Sequence, residues 1–204
     1  MKIVLSTRNP SKAEQIKAVF LGSPIQVLTL DESGIAGQGV EDGTTLKENA
    51  LKKAMFVHQQ NPSAWSMADD TGVFIDALDG KPGVDTADWH GQPVKTDDVD
   101  LVTRWILGEL KDVKDRCATF ETVVAIVSPD GKEYFFDGKV RGKILESARS
   151  ATQPNMPYAS IFQPDGSDKV WGEMTVEEEN QISHRGKAFQ QARAFLEAQL
   201  PLKE

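Results

Sequence analysis

The chain is short of cysteine, of basic charge and of long apolar runs, and each shortage removes a class of protein. Its 204 residues hold one cysteine, Cys117. One thiol makes no internal disulfide, so a disulfide-stapled secreted scaffold is excluded and a reducing, cytoplasmic compartment is expected. Lysine and arginine number 23 against 31 aspartates and glutamates, a formal net charge of −8. A surface that binds duplex nucleic acid needs a basic footprint, so no nucleic acid partner is expected. A small anion held by a few local cations remains compatible with that charge. No segment approaches the roughly 20 consecutive apolar residues of a membrane helix, and Met1-Lys2-Ile3-Val4-Leu5-Ser6 has neither the long apolar stretch nor the cleavage site of a signal peptide. No membrane partner is expected either. Repeats and low-complexity tracts are also missing.

The remaining composition is that of an ordinary globular chain, 39% hydrophobic and 26% charged. That is enough at this length to close a core without disulfides or structural metal. One domain over residues 1–204 is expected, with two lobes, the second formed by roughly residues 75–145.

Ile3-Val4-Leu5 reads as a buried strand, followed by the cap-rich segment 6–12 and a helix with Ala13, Ile16, Val19 and Phe20 on one face. Ile25–Leu30 is a second strand and residues 31–43 a loop. Thr45-x-x-Glu48 matches a capping box, opening a helix over about 46–59. Trp65–Ala68 is a third strand, ended by a turn at Asp69-Asp70-Thr71-Gly72. Residues 80–91 form a turn-rich connection and 97–110 a helix. Strands over 119–127, 132–136 and 138–145 follow, with a hairpin turn at 128–131. Residues 146–167 read as irregular and 183–200 as the last helix. The pattern is α/β, a mixed twisted sheet with flanking helices.

Four segments concentrate chemistry. Thr7-Arg8-Asn9-Pro10-Ser11-Lys12 joins a strand to a helix, where backbone N–H groups and a lysine make a phosphate cradle. It has no P-loop glycine spacing, and alone it is an ordinary capped helix. Glu41-Asp42-Gly43, with Glu48 and Lys53 beyond, offers the hard oxygens that Mg²⁺ prefers; alone, it is a solvated acidic loop with Glu48 as a cap. Asp69 and Asp70 are adjacent carboxylates, awkward to bury without a cation nearby, though Asp and Gly also end strands. Ser183-His184-Arg185-Gly186-Lys187 sets cations at a helix N-terminus, against the macrodipole. An anion bound there would explain them. Cys117, at a strand start without a matching His and Asp, is expected to be a buried small side chain.

Taken in order, these segments resemble the inosine triphosphate pyrophosphatase family, the noncanonical purine nucleoside triphosphate pyrophosphatases. The matching pieces are Thr7-x-Asn9-x-x-Lys12-x-Glu14, Glu41-x-Gly43-x-Thr45-x-x-Glu48-Asn49-Ala50-x-x-Lys53-Ala54, Ala68-Asp69-Asp70-Thr71-Gly72-Val73 with its continuation to Val84, and Ile182-Ser183-His184-Arg185-Gly186-Lys187-Ala188. Each is weak alone; the ordered set spans residues 7–188.

The resemblance implies two lobes around a cleft, usually a homodimer, and Mg²⁺-dependent hydrolysis of a nucleoside triphosphate to the monophosphate and pyrophosphate, a house-cleaning reaction. By position, Thr7, Asn9, Lys12 and Lys53 would hold phosphates and Glu41 and Asp70 the metal. Asp70 would be the general base, with Asp69 beside it. Thr71, Tyr158, His184 and Arg185 would contact the nucleotide. The chain departs from the family where the base is read. Asn155-Met156-Pro157-Tyr158-Ala159-Ser160 replaces Gly-Phe-Gly-Tyr-Asp-Pro, Glu179 replaces a lysine, and Thr86-Ala87-Asp88 replaces Ser-Ala-Arg. A pyrophosphohydrolase of shifted base specificity, or a nucleotide binder without turnover, are the alternatives.

Overall fold

The computed structural model describes residues 1–87, 100–153 and 156–200. The chain opens as a β-α-β unit. Strand β1 (Lys2–Leu5) pairs in parallel with β2 (Gln26–Thr29), Ile3 opposite Val27. Helix α1 (Pro10–Val19) joins them, with Asn9 capping it and Pro10 at its first position, where a missing N–H costs nothing. Helix α2 (Leu46–Gln60) starts on the expected capping box: Thr45 accepts from the Glu48 N–H at 3.1 Å, and Glu48 accepts from the Thr45 N–H at 3.2 Å.

Strand β3 (Trp65–Ile75) pairs in parallel with β1. The turn expected at Asp69–Gly72 is absent, because the strand runs straight through it. Gly72 serves a close approach instead. A Cβ there would lie 2.8 Å from the Gly83 carbonyl of the short antiparallel strand β4 (Lys81–Gly83). Helix α3 spans Leu101–Glu109; the expected residues 97–99, together with Asp88 and Asn155, lie outside the described residues. Strands β5 (Cys117–Val127) and β6 (Glu133–Ile144) form one long hairpin, so the two strands expected over 132–145 are one. Two elements lie in regions read as irregular or not assigned: β7 (Phe162–Pro164) and α4 (Val176–Ile182), the latter capped by Thr175 and Glu178. Helix α5 (His184–Ala198) closes the fold, capped by Ser183.

The strand order is β2-β1-β3-β5-β6-β7, with β4 also on β3. This is the expected mixed sheet with flanking helices. No helix among the described residues is long and apolar enough to cross a membrane.

The three long strands carry two apolar cores on the same face. Toward one end Met67, Val124 and Ile126 pack with Ile16 of α1 and Phe189 of α5. Toward the other, Val73, Phe120 and Val140 pack with Ile106 of α3, Phe162 and Trp171. Between them the apolar pattern breaks: Asp69 and Thr71 on β3, Thr122 on β5 and Gly138 on β6. Thr71, Thr122 and Gly138 are register partners across the three strands. A row of small and polar residues between two cores leaves a polar seam across the sheet.

Candidate functional site

Strand geometry distributes the two aspartates. Successive side chains point to opposite faces, so Asp69 turns toward α1 and α5 and Asp70 toward α2. Each meets its own lysine. Lys12 Nζ of α1 lies 3.1 Å from Asp69 Oδ2, and Arg185 Nε of α5 lies 3.7 Å from the same oxygen. Lys53 Nζ of α2 lies 2.7 Å from Asp70 Oδ1 and 3.4 Å from Glu41 Oε1. Adjacent carboxylates are therefore not forced together around one cation. They occupy opposite faces with separate partners.

The environments push the two acids apart. Burial alone would raise Asp69, but Lys12, Arg185 and Lys53 overcome it and hold the carboxyl down at about 2. Asp70 is raised above the ordinary aspartate value, by burial first and also by Glu41, although Lys53 works against the shift. Burial would lower Lys53, yet Asp70, Glu41 and Asp69 together raise it. Lys12 moves the other way: burial lowers it, helped by Lys53 and Arg185, and Asp69 does not compensate.

The residues that lead into α1 are locally organised. The Asn9 N–H donates to Thr7 Oγ1 at 3.2 Å, and Asn9 Oδ1 accepts from the Lys12 N–H at 3.2 Å. Asn49, one turn before Lys53, ties the loop to the strand: its Oδ1 accepts from the Gly43 N–H at 2.7 Å, and its Nδ2 donates to Asp70 Oδ2 at 3.2 Å. Thr71 shares a 2.7 Å hydrogen bond with Thr122 across the strands and lies 3.5 Å from Asp69 Oδ2.

The start of α5 reaches the seam because Gly138 lets it. A Cβ on Gly138 would lie 2.1 Å from the His184 carbonyl. His184 is buried between Phe120, at 4.9 Å between ring centroids, and Trp171, at 6.1 Å. Neither ring nitrogen has a hydrogen-bond partner among the described residues, and burial, then Arg185, holds its pKa well below 6.5. Only Arg185 of the three expected basic residues is a buried charge; Lys187 lies on the exposed side and donates to the Lys139 carbonyl. Tyr158 sits in the core against Phe120, and its hydroxyl, like Trp171 Nε1 and Arg185 Nε, is buried without a hydrogen-bond partner among the described residues. Ala159 is buried in the same core and Met156 packs against it.

Cys117 is not the buried side chain expected. As the first residue of β5 it is only half-buried, and Asp115 beside it pushes its thiol pKa up. An open groove of about 760 Å³ runs along the outer side of α1, lined by Thr7, Asn9, Lys17 and Glu177 among others. It borders the cradle but includes none of Asp69, Asp70 and Lys53. Gln15, Thr122 and Trp171 were not singled out from the sequence. Gln15 follows Lys12 by three residues on α1, a spacing that puts both on one helix face.

Glu41 and Asp70 present hard oxygen donors that converge on the same ammonium. Among the described residues no three His, Cys, Asp or Glu side chains form a cluster able to hold a metal ion. Two carboxylates are within what a hard cation such as Mg²⁺ takes from a protein, its shell being completed by phosphates and water.

Residues 3–195 match the model of the Ham1 family. The dITP/XTP pyrophosphatase of Thermoanaerobacter pseudethanolicus is 36% identical over 196 residues, covering 96% of each chain. The dITP/XTP pyrophosphatase of Porphyromonas gingivalis is 38% identical, covering 96% of this chain and 97% of its own. The solved structure of the Staphylococcus aureus Ham1 protein superposes with a TM-score of 0.81 at 28% identity, over 98% of this chain and 100% of its own. The ordered motifs, the mixed sheet, the family match over residues 3–195 and the 36% and 38% identity to these relatives lead to one statement: this chain belongs to the Ham1 family.

Proposed function

We propose that this chain, a hydrolase of phosphoric anhydrides by its family, cleaves noncanonical purine nucleoside triphosphates to the monophosphate and pyrophosphate with Mg²⁺. The observation that carries the reading is the pair of acids on β3, one held ionised between Lys12 and Arg185 and one raised by burial beside Lys53. Two carboxyls whose environments separate their proton affinities are suited to separate roles.

Asp70, with the higher proton affinity, accepts a proton from the water that attacks the α-phosphorus. The new P–O bond forms as the bond to pyrophosphate breaks, and Asp70 holds the proton. Asp69 stays ionised and fixes Lys12 and Arg185. A bound triphosphate carries close to four negative charges, and Lys12, Lys53 and Arg185 offset them where charge moves onto the leaving group. Thr7 and Asn9 orient phosphates at the start of α1. Mg²⁺ held by Glu41 and Asp70 supplies Lewis acidity to the phosphate oxygens when bound. Thr71, Tyr158 and His184 line the nucleoside side of the seam. One domain with two lobes, the second around 75–145, a homodimeric assembly and a cytoplasmic setting belong to the same reading.

The test is product analysis after incubation with ITP or XTP and Mg²⁺. Pyrophosphate and the monophosphate are expected. Stepwise loss of the γ-phosphate would overturn the reading, and equal turnover in excess chelator would remove the metal from it.

A further inference from the structure

Glu179, where the resemblance implies a lysine, does not point its charge at an open pocket. Its Oε2 accepts a 2.5 Å hydrogen bond from Gln15 Nε2, and Gln15 Oε1 accepts a 2.6 Å bond from Arg185 Nη1. Arg185 in turn approaches Asp69. All four side chains are buried: Glu179 and Gln15 are 7% exposed, Arg185 6% and Asp69 2%. Asn180 Nδ2 donates to the Gln15 carbonyl at 2.9 Å, so α4 is fastened to α1 at the same place.

We propose that Glu179 is a positioning residue, which through Gln15 fixes the Arg185 guanidinium beside Asp69 and thereby tunes how the site holds its nucleotide. The chemistry of the three groups leaves one arrangement. A carboxylate only accepts and a guanidinium only donates, whereas an amide does one at each end. Gln15 satisfies both neighbours only with its NH₂ toward Glu179 and its oxygen toward Arg185. A lysine at 179 would turn the amide over and bring its NH₂ against Arg185, donor to donor. The relay rests on the proposed function only in that Arg185 meets the substrate.

The experiment compares E179Q, E179K, Q15M and E179K/Q15M with the wild-type enzyme by steady-state kinetics on ITP. A melting curve confirms that each variant folds. A buried hydrogen bond to a charged group sets the scale: E179K and Q15M each lower kcat/KM by about ten- to a hundredfold, mainly through KM. E179Q keeps an acceptor for Gln15 and stays within about threefold of wild type, and the double variant is no worse than the worse single one. A loss in E179Q as large as in E179K, additive losses in the double variant, or unchanged kinetics in E179K would each overturn the relay. The ¹⁵N-edited Nε–Hε resonance of Arg185 gives a readout without turnover. It shifts in E179K and not in E179Q; an unmoved resonance in E179K rejects the relay. A wild-type protein that turns over no nucleotide rejects the proposed function instead and leaves this resonance to decide.

Discussion

Lys53 Nζ stands between two carboxylates, 2.7 Å from Asp70 Oδ1 and 3.4 Å from Glu41 Oε1, with Lys53 and Asp70 both buried. Breaking a buried pair from one side strands the other charge, at a cost of about 3–5 kcal/mol. Lys53→Met should therefore lower stability toward that figure in urea denaturation at neutral pH. Lys53→Met/Asp70→Asn, which removes the stranded charge, should recover part of it. Two losses that simply add would mean that the pair is not coupled in solution.

Asp70→Asn alone keeps the shape but cannot take up a proton, and its single oxygen accepts from Lys53 or from Asn49 but not from both. Loss of a positioned base lowers turnover by about a hundred- to ten-thousandfold. The expected signature is a collapsed kcat with a near wild-type circular dichroism spectrum. A variant that still turns over at the wild-type rate would make Asp70 a structural partner of Lys53 and nothing more.

Much of this geometry was legible in the sequence. Period-3.6 spacing and caps placed α1, α2 and α5, because Asn9, Thr45 and Ser183 satisfy N–H groups that any helix start leaves open. The ordered motifs brought Lys12, Lys53, Asp69, Asp70 and Arg185 to one place. What local signals misread was Asp69–Gly72. Aspartate and glycine side by side signal a turn, yet strand pairing with β5 on one side and the close pass of Gly83 on the other keep β3 extended. Short elements such as β7 and α4 also escaped, since three or seven residues carry too little periodicity. The partnership of Gln15 with Glu179, 164 residues apart, is tertiary and has no local signature at all.

Gly138 tests whether the seam depends on the packing of α5. Gly138→Ala puts a methyl 2.1 Å from the His184 carbonyl and 2.9 Å from the Ala188 nitrogen, both backbone atoms. Overpacking of this kind costs about 1–3 kcal/mol. Because α5 carries Arg185, kcat/KM should fall along with the melting temperature. A variant with lowered stability and intact kinetics would show that α5 yields without moving its first turn.

His184 gives the molecule a pH-dependent stability. Burial, then Arg185, keeps the folded-state imidazole well below its ordinary value of 6.5. Below pH 6.5 the unfolded chain binds the proton that the folded chain refuses, so stability falls as pH falls. The contribution of His184 is full above 6.5 and is lost progressively toward the depressed folded value. His184→Phe keeps a ring between Phe120 and Trp171 and removes the proton site. Urea midpoints at about pH 7.5 and about pH 5.5 should drop further for the wild type than for this variant. Equal drops would place the acid sensitivity elsewhere.

The resemblance places the chain's departures where the base would be read, at Met156, Ala159 and Glu179. A site that hydrogen-bonds a substrate group rejects an analogue lacking it by about 10⁴–10⁵, because its own buried polar atoms go unpaired. Two such groups are missing: Ala159 has no side-chain donor or acceptor and is buried in the core, and Glu179 spends its carboxylate on Gln15. Met156 packs against the same core and offers a softer surface than a phenyl ring. Around this core the buried side-chain atoms without a hydrogen-bond partner among the described residues include His184 Nδ1 and Nε2, Trp171 Nε1, the Tyr158 hydroxyl, Ser160 Oγ and Arg185 Nε. Trp171 Nε1 and Arg185 Nε only donate, while His184 and the Tyr158 hydroxyl do either. Together they lean toward an acceptor such as the 6-oxo group shared by hypoxanthine, xanthine and guanine. Selection against adenine should therefore persist, while selection against guanine, which rests on its 2-amino group, should weaken. Measured as kcat/KM over ITP, XTP, GTP, ATP, CTP and UTP with their deoxy forms, the margin over GTP should be narrower than the margin over ATP. A preference for ITP and XTP over GTP by several orders of magnitude would show that some other group reads the 2-position.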